Sequence, residues 1–328
     1  MKKIVSVFIF CISFSLSAAV LAGGITKWSL PKAKKPDEEF LLYRLSYSGF
    51  LTAFVWKDLA DTVLSADSAP SKFNGQKSCR LHLRMSTENF LLAESFSPMR
   101  YHWRTTINPD LSRIFLIEEI NENDDDLHRV VWLNRNKNQI EIYRKRKKMI
   151  PQFDENEEYD FYDDNDADLA WEKDGKKQPP DFLVENPKIE DGLNYLIYDK
   201  AIKIEKNGSV FDPLSLIYSA RWYDYGKVGD IDFVVSHKDG FRQYKVFFED
   251  KEIVEIGSKS VNTLKIVIRR HKKESGENEG FMAIWLTDDE RRLPVQYLVE
   301  AKLGEIRLKI NALNFENYQA PVNCVVHK

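Results

Sequence analysis

The feature that most constrains this chain is a side-chain period of two. "CRLHLRM" sets Cys79, Leu81, Leu83 and Met85 against Arg80, His82 and Arg84, and "EIRLKI" sets Ile306, Leu308 and Ile310 against Glu305, Arg307 and Lys309. Successive side chains of a strand point to opposite faces, so this alternation means sheets covered on one side and wet on the other. "IDFVVSHKDGFRQYKVFF" reads as two strands joined at Asp239-Gly240, a dipeptide suited to a tight hairpin. "QIEIYRKR" from Gln139 and "LKIVIRR" from Leu264 add further strands. The expectation is a mainly β protein, an antiparallel curved sheet or half-barrel wrapped on two short helices.

Both helices are predicted from one signal. Ser97-Pro98 precedes "MRYHWRTTI", and Asp212-Pro213 precedes "LSLIYSARW". Ser or Asp can cap free amides, and Pro suits the first helical position, where its missing N–H costs nothing.

The stretch from Gln152 to Pro180 breaks the period. It is acidic, ends in Pro-Pro and reads as a solvated loop or insertion. Residues 1–22 read as a signal peptide: Lys2 and Lys3, an apolar run from Ile4 to Leu16, then Val20-Leu21-Ala22 as a cleavage site. Cleavage would leave the mature chain in the periplasm of a Gram-negative cell. The expected organisation is signal peptide 1–22, linker 23–39, one β-rich domain over 40–320 with the acidic insertion at about 152–180, and a tail at 321–328. No later stretch has the ~18 apolar residues of a membrane span. Net charge is −3 with scattered basic residues, which gives no case for nucleic acid.

Two cysteines survive cleavage, Cys79 and Cys324. In an oxidising compartment they can pair. Cys79 also fits its strand as a small buried hydrophobe, and a catalytic thiol is the third alternative.

Motifs of known chemistry are weak. Asp164, Asp166 and Asp168 have the alternate spacing of a calcium loop, but Leu169 stands where Gly is needed and Gly175 where Glu is needed. The basic run Arg144 to Lys148 lies close to the acidic stretch, which offsets it. His82, His102, His128, His237, His271 and His327 show no metal spacing. There is no GxSxG elbow, dinucleotide fingerprint or P-loop. No catalytic residue, metal ligand or cofactor is assigned, although a spatially assembled hydrolase site stays open.

"GFMAIWLTDDERRLPVQYLVEAKLGEIRLKI", residues 280–310, gives every charged residue a structural place in a meander of three strands. Thr287 to Glu290 is turn chemistry, Pro294 suits the start of a strand, and Gly304 a turn or bulge. The stretch resembles the C-terminal signature of a bacterial envelope family known as a domain of unknown function, numbered 3108. "FDPLSLIYSARWYD" is similar to that family's Asp-x-Leu-Ser helix, and "YRLSYSGFLTAF" to its opening Tyr-x-Gly strand, with Ala53 where a second Gly is common. "MRYHWRTTINPD" fits the pattern as a helix, and the likeness spans about residues 40 to 315. The resemblance implies an exported β-rich protein with no known activity. Gly49, Asp212, Trp285, Arg291, Pro294 and Gly304 match its motifs and are read as structural. Architecture similar to the half-barrels of lipoprotein carriers makes an apolar or lipid-like envelope ligand the first functional expectation. The alternatives are a scaffold or assembly factor that contacts an envelope protein partner, and an uncatalogued hydrolase.

Overall fold

One strand from the start of the chain and one from its end meet in the middle of the sheet. The structure, a computed structural model, describes residues 39–67, 71–73, 75–121, 128–134, 137–145, 172–173, 176–177, 196–203, 210–221, 231–237, 240–270, 281–301 and 303–318. The first elements are β1 (Glu39–Gly49), β2 (Lys57–Ala66), β3 (Ser71–Phe73), β4 (Gln76–Ser86), α1 (Leu91–Phe96), β5 (Arg100–Ile107) and β6 (Ile114–Asn121). There follow β7 (His128–Asn134), β8 (Gln139–Lys145), β9 (Glu172–Lys173), β10 (Lys176–Lys177), β11 (Leu196–Lys203), β12 (Val210–Phe211) and α2 (Pro213–Ala220). The last are β13 (Ile231–His237), β14 (Gly240–Ile256), β15 (Lys259–Arg270), β16 (Phe281–Thr287), β17 (Pro294–Ala301), β18 (Gly304–Ile310) and α3 (Ala312–Glu316).

The main sheet has 16 strands in the order β11-β8-β7-β6-β5-β4-β2-β1-β18-β17-β16-β15-β14-β13-β12, with β3 paired to β4. Every pair is antiparallel except β12 with β13. Among the described residues the path is open, with β11 and β12 at its ends. β1 pairs with β2 on one side and with β18 on the other, from Tyr43 opposite Ile310 to Gly49 opposite Gly304.

The sheet must curl. β4 and β13 stand eight strand spacings apart along the path, roughly 38 Å if the sheet were flat. Yet α2, eight residues and about 12 Å long, packs against β4, β5, β12 and β13. The helix therefore lies in the concave face, with Leu214, Leu216 and Tyr218 in one core with Leu81 and Trp103 of one half and Val246 and Ile266 of the other. Tyr43, Tyr47 and Tyr297 occupy the same interior.

The expected mainly β, antiparallel, curved sheet is borne out, and so is the capped helix at Pro213. Asp212 accepts from the Ser215 amide at 2.7 Å, with Pro213 as the first helical residue. The three-strand meander of residues 280–310 is β16, β17 and β18, and Pro294 opens β17. The hairpin of β13 and β14 has His237 opposite Gly240, so Gly240 begins the return strand rather than sitting in the turn.

Two expectations fail. "MRYHWRTTI" is not a helix but β5. Tyr101, Trp103 and Thr105 alternate with Arg100, His102 and Arg104, and Thr105, Thr106 and Ile107 are β-branched; that period outweighs the Ser-Pro signal. Nor is one face wet everywhere. β6, β7 and β8 bury Ile117, Val131 and Ile142 on one face and Leu116, Val130 and Tyr143 on the other. "IFLI" at the start of β6 is the continuous apolar run of a doubly covered strand.

Candidate functional site

Three connections leave the sheet at one end. Gly49 lies opposite Gly304, Tyr47 opposite Lys57 and Asp61 opposite Ser86. The β1–β2 turn, the β4–β5 connection and the β17–β18 turn are therefore neighbours. Phe50, Leu51, Phe54, Val55, Leu91, Leu92, Phe96 and Leu303 all lie in them, and these are most of the exposed large apolar side chains among the described residues. Phe50 is 71% exposed, Phe54 72% and Leu91 86%.

The β1–β2 turn is built to present them. Residues Phe50–Thr52 form a 3-10 turn in which the Gly49 amide donates to Thr52 Oγ1 at 3.1 Å and the Phe54 amide to the Gly49 carbonyl at 2.8 Å. The Phe50 amide donates to the Leu303 carbonyl at 3.0 Å, which ties this turn to the β17–β18 turn. Ala53 and Phe54 take φ of 49° and 60°, the left-handed region that bulky residues avoid. The backbone is thus satisfied and held strained while its phenylalanines face outward, the kind of local strain that collects at functional positions. One residue back, the Arg307 guanidinium lies 4.1 Å from the centre of the Trp56 ring.

α1 reaches the same result by another route. It has no buried residue. Its anchor is polar: Arg100, 4% exposed at its side chain, donates to both oxygens of Glu94 at 2.7 and 2.9 Å, and Thr87 Oγ1 donates to the same carboxylate. The hydrogen bonds from Arg100 hold the Glu94 carboxyl below the usual carboxylate range. With Glu94 turned to the protein, Leu91, Leu92 and Phe96 stand in solvent, the reverse of an ordinary surface helix.

A second polar group lies on the outer face of β4 and β5. His82 Nε2 is 3.1 Å from Asp67 Oδ1, and His82 Nδ1 is 3.3 Å from His102 Nε2. Burial and the neighbouring Arg84 and Arg104 charges push His102 down to about 2, and burial lowers His82 against the pull of Asp67. The second nitrogen of His82 faces an imidazole rather than a serine hydroxyl, so this is no Ser-His-Asp arrangement. Among the described residues no group of three or more His, Cys, Asp or Glu side chains is placed to hold a metal ion.

The motif residues fall in four places. Gly49 and Gly304 face each other beside the apolar turn. Asp212 is fully buried, and its second oxygen accepts from Trp103 Nε1 at 2.5 Å and from Thr105 Oγ1, which fixes α2 to β5. Arg291 pairs with Asp289 at 2.5 Å, and the Pro294 carbonyl accepts from Tyr43 Oη at 2.6 Å, both at the opposite end of the sheet. Trp285 donates to Glu252 at 2.7 Å under the Lys265 ammonium. Cys79 is fully buried and disulfide-bonded. Cys324, the calcium-like Asp164, Asp166 and Asp168, and the basic run beyond Lys145 lie outside the described residues.

The meander that carries Trp285, Arg291, Pro294 and Gly304, together with the Asp212 helix, falls within residues 188–311. The model of the family described as Protein of unknown function (DUF3108) matches those residues. The resemblance is borne out there. The opening strand and "MRYHWRTTINPD" lie outside the stretch that matches DUF3108. No curated protein matches the chain. Among solved structures, the chain is similar to a β-barrel-like DUF1849 protein from Brucella abortus, at 7% identity over 83% of this chain and 94% of that one, with a TM-score of 0.44. It is also similar to a candidate lipoprotein from Parabacteroides distasonis, at 7% identity over 84% and 95%, with a TM-score of 0.27. Among the described residues no helix is long and apolar enough to cross a membrane.

The apolar end was missed in the sequence, although a signal existed. "GFLTAFVW" and "NFLLAESF" put apolar residues into connections, where turn chemistry is ordinarily polar.

Proposed function

We propose that this is an exported, periplasmic, non-enzymatic binding protein for an apolar, lipid-like envelope ligand, which it contacts with the exposed apolar end of its sheet. The observation that carries this reading is the inverted helix α1, where a buried arginine spends itself on Glu94 so that Leu91, Leu92 and Phe96 can face out. Exposed apolar clusters of this kind mark interaction sites in soluble proteins. Full transfer of each such side chain from water to hydrocarbon is worth about 1.5–3 kcal/mol. In the concave face, where a carrier would hold its ligand, lie α2 and the buried core tyrosines, whereas the exposed apolar side chains gather at the rim, which favours the rim as the contact. The disulfide at Cys79 supports an oxidising compartment, as does the lysine-led apolar leader.

The test is titration of the mature protein with a monomeric lysophospholipid, read by intrinsic tryptophan fluorescence. Saturable binding that weakens about tenfold in Phe50→Ser and in Leu91→Ser supports the reading. Binding that neither substitution affects places the ligand elsewhere, and absence of binding rejects the reading. Capture of an envelope protein by the same surface would favour the scaffold alternative.

A further inference from the structure

We infer that the occupant of this apolar end is the surface of a phospholipid bilayer, into which the 50–55 turn and α1 insert together. This rests on the lipid-binding reading above and names its ligand.

A protein partner is disfavoured by the local architecture. β1, β2 and β4 are interior strands of the sheet, so none of the three offers a free edge for strand addition beside these connections. α1 has six residues, about 9 Å, too short to lay a two-turn stripe into a groove. Phe50, Phe54, Leu91 and Phe96 stand on two separate connections with polar backbone between them. A solid partner would need a matched pocket for each, whereas fluid acyl chains conform to them.

The polar skirt behind the tips complements a zwitterionic headgroup layer. Arg44 is shared between Asp58 at 3.5 Å and Asp61 at 3.1 Å, and Asp58 also accepts from Ser46. Lys57 is exposed, and Arg307 lies over Trp56 with Asp58 and Glu305 within electrostatic reach. Among the described residues both signs are present, with Arg44, Lys57 and Arg307 beside Asp58, Asp61 and Glu305, so this skirt offers neither an all-basic field that demands anionic lipid nor an all-acidic one that phosphates would repel. Trp56, set behind Phe54 with a guanidinium on its ring, has the amphipathic character of side chains at headgroup depth. Membrane attachment here is a matter of apolar insertion from a pinned, compensated base.

The experiment is flotation of the mature protein with vesicles of phosphatidylcholine and phosphatidylethanolamine, combined with quenching by brominated lipids. Binding is expected on these zwitterionic vesicles, changing less than about twofold between about 0.05 and 0.5 M salt. Quenching should be stronger from bromines near the headgroup than from the chain end, and that difference should vanish in Trp56→Phe. Phe50→Ser with Phe54→Asn, and separately Leu91→Ser with Leu92→Ser, should each weaken vesicle binding about tenfold or more. Asn tolerates the left-handed backbone at position 54, so Phe54→Asn should raise Tm while lowering binding, which separates loss of anchoring from loss of fold. Binding of lysophospholipid monomers without vesicles overturns the bilayer inference and leaves the ligand-binding reading standing. Failure of both rejects both. A dimer abolished by the same substitutions would make a second copy the occupant and overturn the inference.

Discussion

Gly49 and Gly304 face each other across the β1–β18 ladder, and neither has room for a side chain. A Cβ on Gly304 would lie 2.2 Å from the Ser48 carbonyl oxygen, and one on Gly49 would lie 2.2 Å from the Leu303 carbonyl oxygen. Gly304 also has φ of +156°, which side chains rarely adopt. The close approach lets Tyr47 Oη donate to the Leu303 carbonyl at 2.8 Å and sets the β17–β18 turn against the turn that displays Phe50. Gly304→Ala should cost about 1–3 kcal/mol by forcing the strands apart, with Gly49→Ala similar. Urea unfolding checks this, and unchanged midpoints would show that the ladder gives way easily.

Arg221 and Glu39 form a buried pair, 3% and 0% exposed at their side chains, with both hydrogen bonds at 2.8 Å. Arg221 follows α2 directly, so this pair moors the helix to β1 and, through the Arg292 carbonyl at 3.2 Å, to the turn before β17. Glu39→Gln leaves a buried guanidinium without its counter-charge and should cost about 3–5 kcal/mol. Burial alone would raise the Glu39 pKa, but the Arg221 charge and hydrogen bonds hold it below the ordinary 4.5. The folded value being the lower one, the stabilisation is complete above about 4.5 and is lost as pH falls through the depressed folded pKa. Denaturation midpoints on the acid side should therefore fall less steeply with pH in Glu39→Gln than in the parent.

The imidazoles of His82 and His102 give a second acid sensitivity at higher pH. Both are held neutral below their ordinary 6.5, His102 down to about 2. An unfolded chain takes up these protons first, so their contribution is complete above 6.5 and declines as pH falls below it. The denaturant midpoint should drop between about pH 7.5 and about pH 5.5, and the drop should shrink in His102→Gln. NMR should show no titration of the His102 ring above about pH 4; an ordinary titration near 6.5 would refute the assignment.

Cys324 is proposed as the disulfide partner of Cys79, because the proposed leader removes Cys11. Proteolysis without reductant, followed by mass spectrometry, should recover the two cysteine peptides joined. Cys79→Ala should cost about 2–5 kcal/mol. A covalent dimer in place of the internal link would reject the pairing.

What the sequence made legible was local. Alternation located β4, β8, β15 and β18, and the Asp212-Pro213 cap located α2. Ser97-Pro98 misled because a capping signal has meaning only if the following period is 3.6, and "RYHWRTT" runs at two. Glu39 and Arg221 are 182 positions apart, and nothing in the chain couples them until the sheet has curled. The apolar end was hidden for the same reason. Exposure is a property of the assembled sheet, and the turn of α1 about its axis is decided by a carboxylate meeting an arginine from the next strand.

The place of β1 at the centre of the sheet also governs how the chain is made. Its partner β18 is the last of the described strands to be synthesised, so an emerging chain holds one edge of β1 open until all the others have arrived. Such a topology has high contact order and leaves an unfinished, aggregation-prone edge for the whole of that interval. Pairing of β1 is then completed only after every other described strand has been made, and a holding chaperone acting on β1 and β2 would have the longest time to act.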